Sequence, residues 1–155
     1  MPQFVTSSRE ETQALARLLA PFLRPGDTLL MRADMGMGKS EFARGIAKGL
    51  GINGAVPSPT FTIMNVYEGG RLPFYHFDLY RLEDEDEFEQ MGFSEFICGE
   101  GVSLIEWPQN AESYMPERAL NVYISAGDGE CGRVIKLEGV GGFELPPACD
   151  LEGKL

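Results

Sequence analysis

Apolar positions along the chain change period in a regular order. Leu15, Leu18, Leu19 and Phe22 recur at helical spacing behind Ser8-Arg9-Glu10-Glu11, which has the form of a capping box. This predicts a first helix over about Arg9 to Phe22. A turn at Pro25-Gly26-Asp27 leads into Thr28-Leu29-Leu30-Met31-Arg32, a short apolar run of the kind a buried strand shows. Glycine-rich sequence follows, and then Phe42, Ile46 and Leu50 return at every fourth position, with Gly51 where a helix C-cap falls. The order is strand, glycine loop, helix.

Pro57-Ser58-Pro59-Thr60 is incompatible with a helix. Phe61 to Glu68 and Leu72 to Tyr80 flank Gly69-Gly70 and predict an antiparallel hairpin. The acidic stretch predicts a helix over Asp84 to Met91, and Gly101 to Trp107 a further apolar strand. Leu120 to Ser125 and Arg133 to Glu138 predict two strands around Gly127-Asp128-Gly129. From Gly139 onward Gly and Pro accumulate and the periodicity stops, so residues 139–155 are expected to be an irregular tail. Helices interleaved with apolar strands imply one α/β layered domain over 1–155, with a mixed sheet.

Composition narrows the function classes. No apolar run approaches the roughly 20 residues of a membrane span, and Met1 to Arg9 has no signal-peptide apolar region, so a cytoplasmic protein without membrane attachment is expected. Cys98, Cys131 and Cys149 form no CxxC pair, and with a single histidine they argue against a structural zinc site. The net charge of −11 repels a phosphate backbone, so any work on RNA should pass through a partner. The acid is concentrated in Glu83-Asp84-Glu85-Asp86-Glu87-Phe88-Glu89. A solvated helix face accounts for such a run; a docking surface for a basic partner is the alternative.

The chemistry concentrates in Ala33-Asp34-Met35-Gly36-Met37-Gly38-Lys39-Ser40, which meets the phosphate-loop pattern [A/G]-x-x-x-x-G-K-[S/T]. Small residues let backbone N–H groups curl around a phosphate, and the following helix N-terminus adds positive potential. Lys39 can reach the β- and γ-phosphates of a nucleotide, and the Ser40 hydroxyl can bind magnesium. Hydrolysis also needs carboxylates and a group that positions water. Asp78 and Glu106 both end strand-like runs, where ligands bind in α/β sheets. Trp107 is a candidate aromatic wall, and Thr60 a candidate switch threonine that senses the γ-phosphate. Each alone also has an ordinary reading as a packed, loop or surface residue, and His76 alone reads as packed or hydrogen-bonded.

Together these blocks resemble the TsaE (YjeE) family of bacterial ATPases of tRNA threonylcarbamoyladenosine biosynthesis. Ala33 to Ser40 with Phe42-Ala43-Arg44-Gly45, then Ser58-Pro59-Thr60-Phe61, His76-Phe77-Asp78-Leu79-Tyr80-Arg81 and Glu106-Trp107 match in order and spacing, from about Ser8 to about Glu138. The resemblance implies a P-loop NTPase-like three-layer α/β fold with a mixed, mostly parallel sheet and an antiparallel hairpin. It implies binding of ATP or ADP with Mg2+ and slow ATP hydrolysis that a TsaB–TsaD-type heterodimer assists. Transfer of threonylcarbamoyl to tRNA adenosine 37 belongs to that partner complex, which the ATPase resets. By position, Lys39, Thr60, Asp78 and Glu106 form the catalytic set, and Ser40 and Glu106 serve the metal. Asp34 to Glu41 and Trp107 contact the nucleotide. Arg133 and the residues near Ser8 are the candidates for the base side, and Arg81 is expected near the site. Ala33, Met37, Ser40 and Glu41 depart from the residues commoner in the family.

Three other readings compete. A small-molecule kinase needs a lid with several arginines, and only Arg118 and Arg133 follow Arg81. A GTPase switch needs an Asn-Lys-x-Asp stretch, which the chain lacks. An interaction module with a relic loop would show equal weak nucleotide binding with and without Lys39.

Overall fold

The computed structural model describes residues 1–54, 56 and 62–152. Seven strands form one sheet: β1 (Gln3–Thr6), β2 (Thr28–Arg32), β3 (Met64–Tyr67), β4 (Phe74–Asp78), β5 (Val102–Glu106), β6 (Ala119–Ala126) and β7 (Arg133–Val140), in the spatial order β1-β7-β6-β2-β5-β4-β3. The central strands β6, β2, β5 and β4 are mutually parallel, and antiparallel pairs close both sides, β3 on β4 and β7 with β1 beyond β6. The expected mixed sheet with a parallel centre and a hairpin is therefore present.

Alternation along the strands builds two cores. Leu29, Met31, Phe74, Leu104 and Val122 face one side, where they meet α1 (Arg9–Leu19) and α2 (Lys39–Gly49) through Leu15, Leu19, Phe42 and Ile46. Leu30, Tyr75, Phe77 and Ile105 face the other, under Phe88 of α3 (Asp86–Gln90) and the 3-10 segment Pro108–Tyr114. The result is the expected three layers. The helices α1 and α2 pack very closely. A Cβ at Gly45 would overlap the Gln13 carbonyl and Ala16, so glycine at this place allows the approach.

Helix α1 begins as its sequence signals. Ser8 Oγ accepts the Glu11 N–H at 3.1 Å, while the Glu11 carboxylate accepts the Ser7 hydroxyl at 2.8 Å. The helix turns 3-10 at Ala20–Phe22, close to the expected end.

Two elements differ from the sequence reading. The N-terminal residues form strand β1, where Phe4 enters the core and Thr6 meets the Thr12 hydroxyl at 2.8 Å. Four residues with only two inward positions, one of them threonine, carry too little periodicity to register. The tail is also more ordered than Gly139 and its successors suggest. Strand β7 continues to Val140, and a short α4 (Ala148–Glu152) seals Leu151 fully into the α1–α2 core. Among the described residues no helix is long and apolar enough to cross a membrane.

Candidate nucleotide site

The C-terminal ends of the parallel strands share one edge of the sheet. Met31 pairs with Glu106, and Glu106 with Asp78, so the two carboxylates that end β5 and β4 stand side by side next to the exit of β2. On the other flank Ala126 of β6 pairs with Arg133, the first residue of β7, and Arg133 in turn pairs with Thr6 of β1. Arg133 and the start of α1 are thereby brought to the same edge.

A pocket of about 690 Å³ opens there. Gly36, Gly38, Lys39 and Ser40 form its floor, Asp78, Glu106 and Trp107 one wall, and Cys131 and Arg133 the opposite one. Gly38 adopts φ 99°, a left-handed conformation that turns the loop into the first residue of α2 and that a side chain would strain. Ala33 is absent from the positive-φ residues, which is the condition under which alanine is tolerated there.

Lys39 is buried. Its ammonium donates to the Ala33 carbonyl at 3.2 Å and lies 4.2 Å from the centre of the Trp107 ring. Burial pushes its pKa down, and the charges of Glu106, Asp78 and Asp34 offset this only in part. Trp107 itself has φ 59° and ψ 48°, an uncommon backbone for a bulky residue. The neighbouring Tyr80 ring packs on it at 5.0 Å. Asp78 accepts the Tyr80 N–H at 3.0 Å, which folds the turn after β4. Glu106 is buried, and its Oε2 lies 2.6 Å from His76 Nε2, so the histidine has a partner that spacing did not disclose.

The remaining expectations divide. Arg133 faces the pocket but directs its guanidinium at carbonyls: Met37 at 3.0 Å and Gly36 at 3.2 Å in the loop, and Glu130 and Gly132 in its own hairpin. It clamps the loop from β7. Glu41 lines the pocket, yet its carboxylate is engaged by Gln13 and Arg44, each at 2.5 Å. Met35 is exposed at the rim, whereas Met37 packs inward against the core. Asp34 and Met37 do not line the pocket, and neither does Arg81. Thr60 lies outside the described residues. Arg9, next to Ser8, lines the pocket as the base-side expectation allowed, whereas sequence reasoning missed Thr12, Arg44, Tyr80, Glu130 and Cys131 as lining residues. Only Tyr80, two residues beyond Asp78, carried a signal, since a strand-end turn places its neighbours at the same edge.

Such a fold, with a glycine loop entering a helix beside two strand-end carboxylates, defines a P-loop NTPase-like α/β domain. The sequence profile of the threonylcarbamoyl adenosine biosynthesis protein TsaE matches residues 6–135. The chain belongs to the TsaE family. It is 48% identical over 126 residues to the tRNA threonylcarbamoyladenosine biosynthesis protein TsaE of Bacillus subtilis, covering 81% of this chain and 78% of the relative. The protein of the same name from Rickettsia conorii is 38% identical over 79% of this chain and 70% of its own. The crystal structure of Bacillus subtilis YdiB superposes with a TM-score of 0.78 at 38% identity, over 90% of this chain and 86% of that one. Family and fold thus place the chain in tRNA threonylcarbamoyladenosine biosynthesis.

Proposed function

We propose that the protein binds ATP or ADP with Mg2+ at this edge and hydrolyses ATP, weakly alone and faster with a TsaB–TsaD-type heterodimer. It meets tRNA only through those partners and works in the cytoplasm. The observation that carries the reading is the meeting of Lys39, Asp78 and Glu106 around a glycine-lined pocket.

The donor set suits magnesium. Ser40 offers a hydroxyl, and Glu106 keeps Oε1 clear of any hydrogen bond from a described residue. Both are hard oxygen donors. Among the described residues no three His, Cys, Asp or Glu groups gather into a self-sufficient metal cage. Magnesium characteristically takes one or two protein oxygens together with substrate phosphates. The ion would neutralise charge on the phosphates.

The chain's own groups perform the rest. Loop N–H groups and the start of α2 receive the phosphates. Lys39 exchanges the Ala33 carbonyl and the Trp107 ring for phosphate oxygens, whose charge adds to the partial compensation from Glu106, Asp78 and Asp34. Asp78 orients the attacking water, and Thr60 belongs to the switch that senses the γ-phosphate. Asn110 donates to the Leu79 carbonyl at 2.8 Å, Tyr114 to Asp86 at 2.7 Å and Ser113 to Glu85 at 2.8 Å. The acidic α3 is therefore tied to the segment that leaves Trp107, and a basic partner on α3 would bear on the site.

ATP hydrolysis measured with and without the cognate heterodimer tests the proposal. Stimulation with physical association is expected; neither would leave only nucleotide binding to be argued.

A further inference from the structure

We infer that His76 is a positioning residue for the metal-side carboxylate: it holds one oxygen of Glu106 so that the other is presented to the pocket. The inference rests on the nucleotide–magnesium reading of the site and deepens it.

Register makes the contact. His76 pairs with Leu104 on the neighbouring parallel strand, two residues before the Asp78–Glu106 pair, so its side chain projects on the same face as that of Glu106. His76 is 1% exposed and Glu106 is 4% exposed. A carboxylate oxygen accepts, so the imidazole N–H sits on Nε2 and donates to Oε2 over 2.6 Å. The other ring nitrogen, Nδ1, is buried without a partner among the described residues. The ring stacks flat on Phe74, with centroids 5.9 Å apart and planes 17° apart.

An apolar ring would fill this place without an orphaned nitrogen, so packing alone does not account for an imidazole. What the imidazole adds is one directed donor. A glutamate with both oxygens free would rotate about its terminal torsion. With Oε2 anchored beneath the pocket, Oε1 has one orientation left. Such outer partners of ligating groups orient them and tune metal affinity.

The test uses the full chain and three variants, His76→Phe, His76→Asn and His76→Gln. ADP affinity is measured by calorimetry in EDTA and again across a Mg2+ series, with Mn2+ binding to the ADP complex followed by electron paramagnetic resonance. Glutamine can bring an amide N–H near the place of Nε2; asparagine stops short, and phenylalanine has no donor. His76→Phe and His76→Asn are expected to need about tenfold more metal, with His76→Gln much closer to wild type and ADP affinity in EDTA unchanged in all three. Variants that match wild type in metal requirement overturn the proposal, as does an equal loss in all three that also lowers ADP affinity in EDTA. If His76→Phe fails to fold, the glutamine–asparagine pair decides by the same criteria. A wild type that binds no nucleotide in either condition fails the underlying reading and this proposal with it; variants that equal a metal-dependent wild type overturn this proposal alone.

Discussion

The two walls of the pocket are held by different means. On the β4–β5 side, functional side chains are what is held: Glu106 by the His76 ring, Asp78 by the backbone N–H of Tyr80, and Trp107 by the Tyr80 ring. On the β7 side, one arginine holds backbone: Arg133 gathers the carbonyls of Gly36 and Met37 and those of its own hairpin. The first wall presents chemistry at fixed points. The second sets the shape of the loop that receives phosphate. Grip and chemistry should therefore be separable by mutation.

The sharpest break lies on the first wall. Asp78→Asn keeps an acceptor for the Tyr80 N–H but removes the charge facing the site. Hydrolysis per bound nucleotide should fall about a hundredfold or more, with ADP affinity close to wild type. Single-turnover kinetics beside an ADP titration check this, and an equal loss in both would merge the two walls.

The second wall should fail in the opposite way. Arg133→Ala removes the clamp, so ADP affinity should drop about tenfold while hydrolysis at saturating ATP stays near wild type. Amide hydrogen exchange over residues 34–38 should rise in the same variant. A variant that binds normally but hydrolyses slowly would assign Arg133 to the chemistry instead.

The smallest effect is expected outside both walls. Reversing two exposed acids, Asp84 just before α3 and Glu89 on it, should leave ATP binding unchanged and slow association with the heterodimer severalfold, most at low salt. Unaltered association would remove α3 from the partner surface.

The walls also differ in how legible they were. Asp78 and Glu106 stood out because a carboxylate closing an apolar run is conspicuous, and the parallel register brings them together. The loop from Ala33 to Ser40 announced itself through glycines whose conformations it needs. The Arg133 clamp had no signature, since its partners are carbonyls, which every residue supplies. The His76–Glu106 bond depends on strand neighbourhood, which one chain's periodicity does not state. Strand β1 and helix α4 escaped because each is too short for a period, although Phe4 and Leu151 are buried.

Lys39 joins the loop to the first wall, touching the Ala33 carbonyl on one side and Trp107, just beyond β5, on the other. The most direct measurement is a calorimetric titration of ADP with Mg2+ into wild type and Lys39→Ala, with thermal melting to confirm that both are folded. Wild type should give a single-site isotherm, and Lys39→Ala an affinity weaker by about tenfold to a hundredfold. Equal weak binding by two folded proteins would contradict it.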